Sequence, residues 1–159
     1  NQVIERVAYI WFNRFCALRF MDVNRFNRIG VVSPLDGQFQ PEILAEAKMG
    51  HIDDEMAPAP IQAKVRALLD GAAPSPDPQQ EAYRLLVVAA CNYWQRAMPF
   101  LFEAIADYTE LLMPDDLLLC CTYRAVVPAP QPITSVLAAC VRSALHPAPS
   151  EVAAGGGRG

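Results

Sequence analysis

The sequence predicts a mostly α-helical fold, an irregular bundle or orthogonal array of helices, and three observations predict it. Apolar residues recur at helical spacing from Val3 to about Phe26 and again from Gln79 to Met98, the pattern of amphipathic helices. The shorter stretches between them open on proline and close on glycine, as helix starts and stops do. The chain has 159 residues, 53% apolar and 19% charged, which suits a single domain with one core.

The first element carries Ile4, Val7, Ala8, Trp11, Phe15, Leu18 and Met21 on one stripe, which Tyr9, Ile10, Phe12 and Phe20 widen on both sides. A stripe this wide needs more than one neighbour to cover it. "VVSPLDGQF" at 31–39 has a Ser-Pro and an Asp-Gly between short apolar pieces, a turn signal that also fits a small hairpin. "QPEILAEAKMG" then places Pro41 at a helix start, acids in the first turn, Lys48 in the last and Gly50 after the end. In "PAPIQAKVRALLDG" the spacing turns Ile61, Val65 and Leu68 or Leu69 inward, and Gly71 is the stop. The proline-spaced "AAPSPDP" is a linker, because each proline removes an amide donor and restrains its predecessor. In the helix after it, Leu85, Val88, Ala89, Asn92 and Trp94 to Gln95 are expected near one buried side. Pro99 should kink or restart that helix, and Pro114 should end the next segment.

A formal net charge of -4 and a pI near 5.1 argue against a free-standing nucleic-acid binder, so any DNA contact has to be local. Lys48 and Lys64 are the only lysines, and the arginines that replace them suit buried or planar pairing. Arg14 and Arg25 are separated by three helical turns at ~100° per residue, on a face shared with Leu18. Arg19 points toward Phe12 and Phe15, where it stacks on aromatics or pairs with an acid such as Glu103 or Asp107. These three arginines, Arg14, Arg19 and Arg25, are the candidate contacts to DNA or to another domain.

Other chemistry has little support. The five cysteines (Cys16, Cys91, Cys120, Cys121, Cys140) form no CxxC pair and have no His at ligand spacing, so free thiols in a reducing, cytoplasmic setting are expected and no metal is. His51 beside Asp53, Asp54 and Glu55 reads as a solvated loop rather than a metal site. The terminal "GGGRG" has no helix after it to aim amides at a phosphate. The longest apolar run, "LLVVAAC", is far short of a membrane span, and Glu5 and Arg6 interrupt any signal-peptide core. The chain opens at Asn1 already inside a helical pattern, from which a missing front end is expected.

"AYIWFNRFCALRFMDVN", "PEILAEA" with its acidic loop, and "YRLLVVAACNYWQRAMPFLFEAIADYTELLMPDDLL", in that order, resemble the N-terminal region of the PglX family. These are the adenine-specific DNA methyltransferases of BREX phage-defence systems. The resemblance covers Val3 to about Leu118. It implies S-adenosylmethionine-dependent methyl transfer to adenine N6 in DNA by a larger protein, in which a helical region precedes the methyltransferase domain. The expected partners are that missing domain or other BREX proteins, with DNA reached through the full-length protein. Such enzymes need a glycine-rich cofactor loop and an Asn-Pro-Pro-Tyr-like motif for the flipped base. This sequence has no two adjacent prolines and neither motif, so no catalytic or cofactor-binding residue is expected in it, and inactivity alone is. A stand-alone helical interaction module is the alternative. The expected division is a helical module over 1–118 and an Ala/Pro/Gly-rich, disordered tail over 119–159. The tail is either a frameshift product of a GC-rich gene or a natural flexible end.

Overall fold

A computed structural model describes residues 2–102 together with residue 113. The expectations for the segment after Pro99 beyond residue 102, for the acidic partners Glu103 and Asp107 and for the tail over 119–159 lie outside the described residues. Within them the fold is helical, as predicted: α1 (Gln2–Val23), α2 (Glu42–Lys48), α3 (Ala59–Leu69) and α4 (Pro78–Gln95), with no strand among the described residues. The 31–39 segment forms no hairpin ladder. A single antiparallel bridge joins Pro34 to Pro41 across a turn in which Gly37 has φ +79°. Prolines at both bridge positions lack the amides a longer ladder would need.

The starts follow the proline rule. Pro41 and Pro58 precede α2 and α3, and Pro78 opens α4 behind Asp77, whose carboxylate accepts the Gln80 amide at 3.0 Å. That bond satisfies one of the orphan donors of the first turn. The three stops share one geometry. After α2 and α3, Gly50 (φ +88°) and Gly71 (φ +74°) take the left-handed conformation, and their amides and those of His51 and Ala72 bond back to the last-turn carbonyls of Ala47, Leu68, Glu46 and Ala67. After α1 the same pair of bonds runs from Arg25 to Asp22 and from Phe26 to Met21. The left-handed residue there is Arg25, at φ 57°. This is the Schellman closure, usually made by glycine because a Cβ is disfavoured there.

That closure corrects one expectation. Arg25 does not share a face with Arg14 and Leu18, because the helix has already ended and the helical repeat does not reach Arg25. A second correction concerns α4. Its buried residues are Gln80, Ala82, Tyr83, Leu86, Val87, Ala89, Ala90 and Cys91, whereas Asn92 is exposed and Leu85 and Val88 are half-buried. The inward face is thus rotated about one residue from the expected one, because α3 and α2 both pack on the Tyr83–Leu86–Val87 side. Val65 and Leu68 of α3 point inward as predicted, with Ile61 at the margin.

The tightest packing is α3 against α4, with α2 wedged across both through Ile43, Leu44 and Ala47. Among the described residues the long α1 has few close backbone approaches to the other helices, although its Val7, Trp11, Leu18 and Met21 belong to the same buried core. It is tied to them through the connection that follows it. Asp22 accepts the Val31 and Val32 amides at 3.0 and 2.9 Å and the Asn27 side-chain amide at 2.6 Å. Asn27 in turn accepts from Trp94 Nε1 of α4 at 2.8 Å, and the buried Tyr83 hydroxyl donates to the Val31 carbonyl at 3.0 Å. Gly30 sits at a crowded point of this connection: its amide bonds Glu42 at 2.7 Å, and a Cβ there would lie 2.9 Å from the Ser33 carbonyl oxygen. None of the described helices is long and apolar enough to cross a membrane.

Candidate docking face at the end of the first helix

The three arginines singled out from the sequence reach three different environments. Arg14 is buried, its guanidinium carbon 4.8 Å from the centre of the Trp11 ring. It lies close enough to Cys91 of α4 for its charge to favour the thiolate, yet burial dominates and pushes the Cys91 thiol up to about 12. Arg19 is half-buried and donates a hydrogen bond to the Ser33 hydroxyl, pinning the 31–39 connection to α1. Arg25 is exposed at the left-handed closure. The structure therefore does not bring the three together: one faces the interior, one braces a loop and one projects from the helix end.

Phe26, the residue after Arg25, belongs to an apolar surface feature. Cys16, Phe20 and Met21 of α1, Phe26 of the closure, Trp94 of α4, and Met98 and Leu101 beyond it line a cleft of about 570 Å³ among the described residues. Phe20 and Phe26 are 62% and 61% exposed, with ring centroids 6.1 Å apart, although both are large apolar residues. The Trp94–Asn27 bond holds the two walls in register. No carboxylate lines this cleft among the described residues. Arg25 and Arg28, both exposed, flank Phe26 in the chain, and exposed Arg96 falls between Trp94 and Met98. The nearest acid in sequence, Asp22, is engaged by two backbone amides and Asn27.

A second, more polar cleft of about 630 Å³ lies between α2, α3 and the start of α4, lined by Lys48, Arg66, Asp70 and Asp77 among others. Lys48 spans it, donating to Gln40 and to Gln79 at 2.9 Å each, and partial burial lowers its pKa. Its cations face carboxylates across the same space, so it offers no field of one sign. In the 51–55 loop, His51 Nδ1 is 3.0 Å from Glu46, Asp53 accepts the Glu55 amide and Asp54 accepts from Gln62. No group of three or more metal-ligating side chains is gathered among the described residues. Cys16 and Cys91 are both free thiols.

Sequence reasoning did not find the cleft. The one signal available was the pair Phe20 and Phe26 on either side of a helix stop. Nothing in the spacing places Trp94 and Met98 opposite them, because that juxtaposition depends on the Asn27–Trp94 contact between residues distant in sequence.

Comparison with known proteins gives the face its setting. No family model matches the chain, and no solved structure does. Among curated proteins it is similar to the adenine-specific methyltransferase BrxX of Escherichia coli O9:H4 (strain HS), with 36% identity over 117 residues, which are 72% of this chain and 9% of that protein. It is also similar to the adenine-specific methyltransferase PglX of Lacticaseibacillus casei (strain Zhang), with 33% identity over 116 residues, covering 70% of this chain and 9% of the relative. The matched relatives are thus about an order of magnitude longer than the segment they share with this chain. By this likeness the chain is homologous to the BrxX and PglX adenine-specific methyltransferases, as its sequence blocks implied.

Proposed function

We propose that this chain is an N-terminal segment of a BREX-type adenine-N6 DNA methyltransferase and serves that enzyme as a helical docking module. The observation that carries the reading is the 36% identity over 117 residues to BrxX, which are 72% of this chain. Methyl transfer from S-adenosylmethionine, the marking of host DNA in phage defence and a cytoplasmic setting belong to the larger protein. The described helices offer no glycine-rich strand-to-helix turn for the cofactor and no Asn-Pro-Pro-Tyr-like motif for a flipped adenine. In this proposal the segment's contribution is positional.

The same proposal gives Arg14, Arg19 and Arg25 their roles. Arg14 and Arg19 set α1 against the rest of the module, and Arg25 is the contact to DNA or to a neighbouring domain. The division into a module over 1–118 and a tail over 119–159 is part of the same proposal. The experiment is a chimera: the matching segment of Escherichia coli BrxX is replaced by residues 2–118 of this chain, and adenine methylation of the host genome is read by modification-sensitive sequencing. Restored methylation, lost when the segment is simply deleted, supports the reading. Methylation that survives the deletion unchanged removes any docking role. S-adenosylmethionine binding by this chain alone, measured by calorimetry, would overturn the placement of the cofactor site elsewhere.

A further inference from the structure

We infer that the Asp36–Gly37 pair is a modification site, at which Asp36 of the folded chain converts spontaneously to isoaspartate through a succinimide. The second Asp-Gly pair, Asp70–Gly71, is protected by its place at the end of α3. The sequence holds these two Asp-Gly pairs and no others.

Glycine after aspartate is the reactive context because it has no side chain to shield its amide nitrogen. That nitrogen gives up its proton to water and attacks the side-chain carboxyl carbon of Asp36. A C–N bond forms, one carboxyl oxygen leaves as water, and a five-membered ring closes. Water then reopens the ring. Cleavage at the side-chain carbonyl restores aspartate, whereas cleavage at the backbone carbonyl leaves the chain running through the side chain, with a free α-carboxylate. Atoms and charge are the same before and after, so neither an enzyme nor a redox partner takes part.

Exposure does not distinguish the two pairs, since all four residues are exposed and a Cβ on either glycine would meet nothing within 4 Å. Hydrogen bonding does. The Gly71 amide donates to the Leu68 carbonyl at 3.2 Å, and the Ala72 and Ala73 amides donate to Ala67 at 2.8 and 2.9 Å. Ring closure requires the glycine nitrogen to swing to the side of the aspartate Cβ, and Asp70, at ψ -4°, holds it away in a helical conformation. The swing there would break all three bonds of the α3 closure. At the other pair, the Gly37 amide and the Asp36 carboxylate have no hydrogen bond among the described residues. The one bond across that turn runs from the Gln38 amide to the Leu35 carbonyl, at 2.9 Å. A difference of two such bonds corresponds to about tenfold or more in rate.

Isoaspartate adds one methylene to the main chain inside the 31–39 connection. The bonds that anchor this connection to α2, from the Glu42 amide to Ser33 and from the Ile43 amide to Gly30, lie outside the turn. The helices therefore survive the change. The inference does not depend on the methyltransferase reading.

The experiment ages the purified full chain for weeks in neutral buffer at body temperature, with a parallel sample in urea. Electron-transfer fragmentation of the digested peptides then separates the two linkages, which have equal mass, and quantifies each. In the folded chain isoaspartate should accumulate at 36 about tenfold or more faster than at 70, and in urea the ratio should fall to about one. Asp36→Glu should abolish the product, because the six-membered ring closes far more slowly, and Gly37→Ala should slow it severalfold. Circular dichroism of both variants and of the aged wild type should match that of the fresh protein. Equal rates at the two sites in the folded chain would overturn the inference. So would faster accumulation at 70, or a folded-state rate at 36 more than about tenfold below its rate in urea.

Discussion

At the scale of single residues, the pH dependence of Cys91 has a defined sign. Burial raises its thiol from the ordinary 9.0 to about 12, against the opposing pull of Arg14. A group whose folded pKa lies above its unfolded value supports the fold while both states are protonated. Its contribution is fully present below about 9 and is lost as pH climbs from 9 toward 12, where the unfolded chain releases a proton that the folded chain keeps. Urea unfolding of the wild type between pH 9 and 11 should therefore lose up to about 1.4 kcal/mol per pH unit more than Cys91→Ala does. Equal slopes for the two proteins would mean the thiol is not buried as the structure has it. Asp22 carries a larger local load. Its carboxylate holds the Val31 and Val32 amides and Asn27, so Asp22→Ala leaves two backbone donors without their acceptor and should cost roughly 2–3 kcal/mol in urea unfolding. Asp22→Asn, which keeps one acceptor oxygen, should cost less.

Among the elements, the ends of the helices are where sequence and structure agree most closely. Proline starts and glycine stops marked α2 and α3 to within about two residues, because those residues act through backbone restraints that need no tertiary partner. The end of α1 was not legible. Its closure uses Arg25, and arginine has no intrinsic preference for a left-handed stop, so the helical pattern seemed to run on to Phe26. The inward face of α4 was missed for a different reason. Its apolar residues nearly encircle the helix, and only the positions of α2 and α3 select Tyr83, Leu86 and Val87 over Leu85 and Val88. The candidate site divides in the same way: arginine and aromatic enrichment of α1 was visible, but the opposing wall from α4 was a long-range fact. The cap of α4 supplies a prediction at this scale. Asp77→Ala removes the acceptor of the Gln80 amide and should lower stability by about 1 kcal/mol, whereas Asp77→Ser should restore most of it.

For the module as a whole, the uneven coupling of its parts predicts an order of opening. α3, α4 and α2 share a close-packed core in which Val65, Leu86 and Val87 are fully buried, and Leu86→Ala there should cost about 3 kcal/mol. Among the described residues α1 has few close backbone approaches to those helices, although Val7, Trp11, Leu18 and Met21 belong to the same core, and a polar relay from Asp22 to Asn27 to Trp94, with Tyr83 gripping the Val31 carbonyl, joins it to them. Regions joined by few contacts open at lower free energy than the core they rest on. Native-state hydrogen exchange should therefore show the amides of α1 and of the 24–41 connection exchanging through a shared opening that leaves α3 and α4 protected. Asn27→Ala breaks the relay at its centre, and it should lower the opening free energy of α1 by roughly 1–2 kcal/mol with little change in α3. If both regions lost protection together, the relay would be part of one cooperative core.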